Sequence, residues 1–220
     1  MGRVAPEQAE IELYTWTTPN GRKASIMLEE LGVPYAVHAV DISANQQFLP
    51  HFLKVSPNNK IPAIVDRRNG FTLMESGAIL LYLAQSYGAL LPEDTERRWR
   101  ATEWLMWQMG GFGPMLGQAH HFLKYNPGRS EYAEQRYASE AQRLYGVLER
   151  RLEGRDFVAD EYSVADIAIW PWVSRYEWQG IDLDAFPNIG RWYLALANRP
   201  AVQRGYDIPH VTNPIPRPAR

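Results

Sequence analysis

The sequence predicts an α/β N-terminal domain followed by an all-α C-terminal helical bundle, and three observations carry that prediction. Up to about residue 90, short β-branched and aromatic runs alternate with segments of helical period. From about residue 93 strand signals stop, and helical periodicity runs through 93 to 109, 130 to 153, 164 to 178 and 188 to 198. Between the halves, "GALLPEDTE" has the composition of a short connector. The resulting division is 11–90, 93–205 and a proline-rich tail, 206–220, expected to be extended or disordered.

In order, "IELYT" (11 to 15) reads as a strand, and a helix from about 20 to 31 ends at Gly32. "YAVHAV" (35 to 40) is the next strand. After a looser segment, "IPAIVD" (61 to 66) and "FTLM" (71 to 74) flank "RRNG", whose Asn-Gly pair signals a hairpin. "ESGAILLYLAQSYG" then reads as a helix. In the second half, Ser163 with Asp166 outlines a capping box, and Tyr162 with Ile167 a hydrophobic staple; helix initiation alone explains both.

Composition removes several function classes. The 220 residues, 45% apolar and 12% aromatic, suffice for a substantial core. A formal charge of -2 gives no reason to expect a nucleic-acid partner. No apolar run approaches a membrane span, and "MGRVAPEQAE" lacks the apolar stretch of a signal peptide, so the expected location is cytoplasmic. With no cysteine, disulfides, thiolate metal sites and a cysteine nucleophile are excluded. Any thiol chemistry must use a bound thiol.

Three polar stretches sit where strands end. In "TWTTPNGRK", Thr18 before Pro19 suits a helix start, with a hydroxyl to accept from orphan amides and a proline whose missing N–H costs nothing. In "SPNNKIPAIV", Pro62 precedes a strand, a place that tolerates proline in a trans or a cis bond. In "MESGAIL", Ser76 can cap a helix whose N-terminal amides attract an anion, while Glu75 offers a carboxylate to an ammonium group. Together the last two would suit a free amino-acid end. Caps and turns account for each stretch singly; their joint placement at converging strand ends is what points to a ligand.

The ordered series "TTPNGRK", "SPNNKIPAIVD", "ESGAILLYLA", "GGFGPMLGQAHHF", "QRLYGVLERRL" and "YSVADIAIWPWV" resembles the glutathione transferase superfamily, and within it the bacterial Nu class, over about residues 11 to 205. The resemblance implies a thioredoxin-like, glutathione-binding first domain, an all-helical second domain and a homodimer. By position it implies that Thr18 and Asn20 lie beside the glutathione sulfur. Pro62 corresponds to a cis-proline, with the Ile61 backbone bonding the cysteinyl unit. Glu75 and Ser76 would hold the γ-glutamyl end, with Gln47 and Lys60 further along the tripeptide. Arg136 would come from the partner subunit. Glutathione, reduced or as its disulfide, would then be the substrate, and no metal is implied.

The elbow offers no serine or cysteine to manage a thiol, and Tyr14 falls inside the predicted strand, which leaves Thr18 as the better candidate. Its role would be electrostatic, as a donor to sulfur with the Asn20 amide as a second donor. The Nu-class resemblance implies reduction of small or exposed disulfides by a bound glutathione thiolate. Two alternatives stand beside it. One is a transferase conjugating glutathione to apolar electrophiles, with Trp16, Phe112, Met115, Tyr176 and Trp178 as a second wall. The other is a non-catalytic glutathione-binding regulatory protein. "GGFGPMLG" lacks the preceding strand of a phosphate loop and reads as a kink or break in a long helix. Adjacent His120 and His121 point about 100° apart on a helix and do not suit one metal.

Overall fold

Ile11–Thr15 forms β1, in which Ile11, Leu13 and Thr15 are buried while Glu12 and Tyr14 are half-buried, the alternation expected of a pleated strand. The chain then turns into α1, Pro19–Leu31, which ends at Gly32 in the left-handed conformation that glycine adopts without penalty. Next come β2 (Tyr35–Ala39), the short α2 (Pro50–Leu53), β3 (Ala63–Asp66), β4 (Phe71–Met74) and α3 (Ser76–Tyr87). The strands lie in the order β2-β1-β3-β4, with β1 and β2 parallel and the other pairs antiparallel. The β3–β4 hairpin closes through Gly70 at positive φ. Asp66, fully buried, accepts from Arg68 and Tyr82, and the Arg68 hydrogen bond holds its carboxyl down to about 2.

The structure, a computed structural model, describes residues 2–218. They fall into two units: the chain up to Leu91 together with Asn198–Ile215, and Pro92–Ala197 with the residues from Pro216. The second unit is helical: α4 (Thr95–Trp107), α5 (Gly113–Ala119), α6 (Glu131–Arg151), α7 (Val164–Val173) and α8 (Pro187–Ala197). Where the sequence suggests a kink or break, the chain stays helical. It widens into a π turn at Gln108–Phe112, passes Pro114 at the start of α5, and widens again at His120–Tyr125. Proline lacks the N–H of a regular helix, and a wider turn accommodates the interruption without ending the helix.

The capping box is formed: Ser163 accepts from the Ala165 N–H at 3.3 Å, and Asp166 accepts from the Ser163 N–H at 3.1 Å. Asp166 also takes the Val158 N–H at 3.0 Å and the Trp192 indole N–H at 2.9 Å, joining α7, the preceding loop and α8. Burial raises its carboxyl to about 6 against the pull of these donors. Asp166→Asn places an NH2 group among N–H donors, and the expected cost is about 2 kcal/mol, read as a lower urea midpoint.

The helix α9 (Pro200–Tyr206) is not predicted by the periodicity and belongs to the first unit. The sequence reading extends the helical domain to 205 and leaves 206–220 as a tail. The structure instead groups Asn198–Ile215 with the sheet, because α9 packs on α1. A Cβ on Gly205 would lie 2.6 Å from the Ile26 Cα, so the two helix backbones touch there. Arg204 pairs with Glu29 and Arg199 with Glu30, both at 2.7 Å. Residues 207–218 have no regular structure, and the last two residues of the predicted tail lie outside the described residues. No helix among the described residues is long and apolar enough to cross a membrane.

Candidate functional site

Strand register brings the polar stretches together. Tyr14 of β1 pairs with Ala63 of β3, and Ala63 pairs with Met74 of β4. The end of β1, the start of β3 and the end of β4 therefore share one edge of the sheet. The elbow at 16–18, Ile61-Pro62 and Glu75-Ser76 emerge there side by side. That edge is where an open α/β sheet offers a ligand loops and helix starts that are not committed to the ladder.

At the elbow, Thr18 is the N-cap of α1, with extended backbone and its Oγ1 accepting from the Gly21 N–H at 3.2 Å. Its own N–H donates to the Trp16 carbonyl at 2.7 Å. The hydroxyl oxygen is thus occupied as an acceptor, and its proton is left to donate. Gly21 makes the turn possible, since a Cβ there would stand 2.1 Å from the Trp16 carbonyl oxygen. Asn20 is the second residue of α1 and half-buried. Tyr14 is committed elsewhere: its hydroxyl donates to Glu12 at 3.2 Å and its ring stacks on His38, with burial and Glu12 pushing the phenol up to about 12.

Across the edge, the Ile61–Pro62 bond is cis, and Pro62 is buried. Among the described residues neither the N–H nor the carbonyl of Ile61 has a hydrogen-bond partner, which leaves an amide–carbonyl pair for another chain or ligand. Gln47 sits in the β2–β3 connection with its Oε1 buried and unpartnered. Lys60 is exposed, and its carbonyl accepts from Ser56 Oγ at 2.8 Å.

Ser76 does not cap α3 as expected from the sequence. Glu75 holds the N-cap position, exposed, at φ 71 and without a side-chain cap bond, and Ser76 is the first helical residue. A non-glycine residue in that region of φ carries strain of about 1 to 3 kcal/mol, of the kind found at binding sites. Ser76 is buried, and its Oγ accepts from Lys23 Nζ at 3.2 Å.

Lys23 was not among the residues expected at the site. It is 1% exposed, and burial lowers its ammonium to about 7 while the Glu75 charge pulls the other way. A signal for it exists in the sequence. Arg22 and Lys23 lie early in α1, where the helix dipole disfavours cations, so both need a specific partner. Arg22 finds one on α9: its guanidinium lies 3.4 Å from the Tyr206 ring centroid and donates to the Tyr206 carbonyl at 3.1 Å.

Register and packing bring together Thr18, Ile61, Pro62, Glu75 and Ser76, with Asn20 on the first turn of α1. Arg136 belongs to the second unit. It lies exposed on α6 in the helical unit, lining a cleft of about 800 Å³ with Gly110, Gly111, Met115 and Tyr137. Among the described residues no group of three His, Asp or Glu side chains is arranged to hold a metal.

Comparison with known proteins gives concordant matches. The model of the glutathione S-transferase N-terminal domain matches residues 9–85, and that of the C-terminal domain matches 112–200. The chain is 48% identical to the disulfide-bond oxidoreductase YfcG of Escherichia coli, over 87% of this chain and 92% of that protein. It is 39% identical to the disulfide-bond oxidoreductase YghU of the same organism, over 93% of this chain and 77% of that one. A glutathione transferase from Pseudomonas putida, solved with one glutathione disulfide per subunit, superposes with a TM-score of 0.88 at 44% identity, covering 93% and 94% of the two chains. One from Burkholderia graminis, with two glutathione molecules per subunit, gives 0.87 at 45% identity and 94% and 90% coverage.

Proposed function

The chain belongs to the glutathione S-transferase family, and on that premise we propose that it reduces small or exposed disulfides with the thiolate of bound glutathione. The observation that carries this reading is the 48% identity to a disulfide-bond oxidoreductase over most of both chains. The absence of cysteine makes the thiol a borrowed one.

The γ-glutamyl end docks at Glu75 and Ser76, its ammonium on the carboxylate and its carboxylate on the serine and the first-turn amides of α3. The cysteinyl unit pairs with the free N–H and carbonyl of Ile61 beside Pro62. Gln47, with its unpartnered buried oxygen, and Lys60 face the rest of the tripeptide. Sulfur then lies at the elbow, where the Thr18 hydroxyl and the Asn20 amide donate to it. Free thiols titrate near pH 8.5, and a hydrogen bond to a charged acceptor is worth roughly 1.5 to 3 kcal/mol, enough to lower the thiol by about 1 to 2 units.

The thiolate attacks one sulfur of the disulfide, forming a glutathione mixed disulfide and releasing the other sulfur as a thiolate that takes up a proton. A second glutathione thiolate attacks the glutathione sulfur of that intermediate. It leaves as glutathione disulfide, and the second substrate thiol is released. Two glutathiones are oxidised and one disulfide is reduced. The protein acts in the cytoplasm as a homodimer whose second subunit supplies Arg136 to the anionic ligand.

Rates with 2-hydroxyethyl disulfide and with 1-chloro-2,4-dinitrobenzene, each with glutathione, test the assignment. The expected disulfide kcat/KM exceeds the conjugation value by about 100-fold, a difference of roughly 2.7 kcal/mol in transition-state stabilisation. The reverse order would make it a conjugating transferase, and no turnover on either substrate a binding protein.

A further inference from the structure

Beyond α9 the chain returns to the elbow. Arg22 of α1 donates to Thr212 Oγ1 at 3.2 Å, and two residues earlier the His210 ring meets the Trp16 ring edge-on, with centroids 4.9 Å apart. Both rings belong to the first unit. Trp16 is half-buried and opens the elbow, its carbonyl taking the Thr18 N–H, while His210 is exposed. Among the described residues the His210 ring nitrogens make no hydrogen bond, so the contact with Trp16 seats the ring and leaves its nitrogens to solvent or substrate. The other histidines of this unit lie elsewhere, His38 stacked on Tyr14 and His51 in α2.

Reducing a disulfide at the elbow includes a step that the thiol donors do not serve. The leaving sulfur stands one S–S bond, about 2 Å, beyond the sulfur attacked, and so further out than the glutathione sulfur beside Thr18. It departs as a thiolate, and a thiol of high pKa leaves slowly. The Thr18 hydroxyl and the Asn20 amide donate hydrogen bonds but give up no proton at neutral pH. Histidine does, because its change of charge falls between about pH 5 and 8. An exposed imidazole on the outer rim of the elbow stands where that proton is needed. Three charged groups bear on this segment. Asp41, in the connection after β2, has its carboxyl held low chiefly by the Ser43 hydroxyl, with the His210 cation a smaller contribution. Arg22 is engaged with Tyr206 and Thr212, and Arg3 donates to the Pro209 carbonyl at 3.4 Å.

We propose that His210 is a general acid for the disulfide reduction, handing its proton to the sulfur that leaves when bound glutathione attacks. This rests on the disulfide-reducing reading above and deepens it. The glutathione thiolate bonds to one sulfur, the S–S electron pair passes to the other, and that sulfur takes the proton of the imidazolium. The neutral imidazole regains a proton from water, which balances the one the glutathione thiol released on ionising. The two electrons come from the two glutathiones.

The test compares two small uncharged disulfides, each with glutathione: 2-hydroxyethyl disulfide, whose leaving thiol is a weak acid, and bis(2,2,2-trifluoroethyl) disulfide, whose leaving thiol is a much stronger one. His210→Phe keeps an aromatic edge against Trp16 and removes the proton. It is expected to lose about tenfold or more in kcat/KM on the first disulfide and less than about threefold on the second. His210→Gln is expected to show the same pattern. The ratio of the two rates cancels ionisation of the glutathione thiol. In wild type the rate on 2-hydroxyethyl disulfide relative to the other should fall as the pH rises from about 5 to 8 and the acid is lost, and in both variants the ratio should be flat.

Full activity of His210→Phe on 2-hydroxyethyl disulfide overturns the proposal. So does an equal loss on both disulfides, the mark of a packing role against Trp16, and so does a wild-type ratio that does not change with pH. If His210→Phe does not fold, His210→Gln decides on the same criteria. Those results leave disulfide reduction by the wild type standing. Wild type that reduces neither disulfide overturns that reading and this one together.

Discussion

Gly21→Ala is expected to collapse the elbow, lowering stability by about 3 kcal/mol or more and disulfide kcat/KM by at least 100-fold. The added Cβ would stand 2.1 Å from the Trp16 carbonyl oxygen and 2.5 Å from Thr15 Oγ1. Neither neighbour is the free end of a flexible side chain. The carbonyl belongs to the turn itself and receives the Thr18 N–H, while Thr15 is buried at the end of β1. Relief requires α1 to move away from the strand, which breaks the Gly21-to-Thr18 cap and carries Thr18 and Asn20 off the sheet edge. Thermal unfolding and steady-state kinetics on one preparation check both halves. The activity loss should exceed what the unfolded fraction explains, because the folded variant has a displaced elbow.

Substitutions at Thr18 separate its two roles. Thr18→Ala removes the cap and the donor together: about 1 kcal/mol of stability and a 10- to 100-fold loss of disulfide turnover. Thr18→Ser keeps both and should stay within about threefold of wild type. Thr18→Asp is the informative change. Aspartate caps a helix as well as threonine does and suits the helix dipole, so stability should hold. Its carboxylate faces the sulfur with negative charge and no proton, so turnover should fall at least as far as in Thr18→Ala. Activity that tracked stability across these three variants would leave the hydroxyl a cap and nothing more.

Much of this was legible in the sequence, for stated physical reasons. The elbow showed because Thr-Pro at a helix start has a fixed meaning, and the structure gives Thr18 the predicted cap. The box at Ser163 and Asp166 showed because its three-residue spacing is local. Convergence of the three stretches followed from strand order. Long-range pairings were not legible. Arg22 and Lys23 stand early in α1, where cations are disfavoured, but nothing local names their partners, and only the fold brings Tyr206, 184 residues away, against one and Ser76 against the other. α9 is a seven-residue helix whose partner, α1, lies far back in the chain, and its small contact residue, Gly205, reads locally as a helix breaker. The π turns were hidden because Gly110 and Gly111 weaken any helical pattern, so the sequence registered an interruption without its form. Ser76 was misplaced by one position, since Ser at a helix start suggests a cap and nothing local reveals that Glu75 takes that place at positive φ.

The most direct test is titration of the thiol of bound glutathione, followed by ultraviolet thiolate absorbance, in wild type, Thr18→Ser and Thr18→Val. The expected result is a thiol titrating about 1 to 2 units below the free value near 8.5 in the first two proteins and close to that value in Thr18→Val. Superimposable titrations in all three, with glutathione bound to each, would contradict the assignment of the Thr18 hydroxyl to the borrowed thiol.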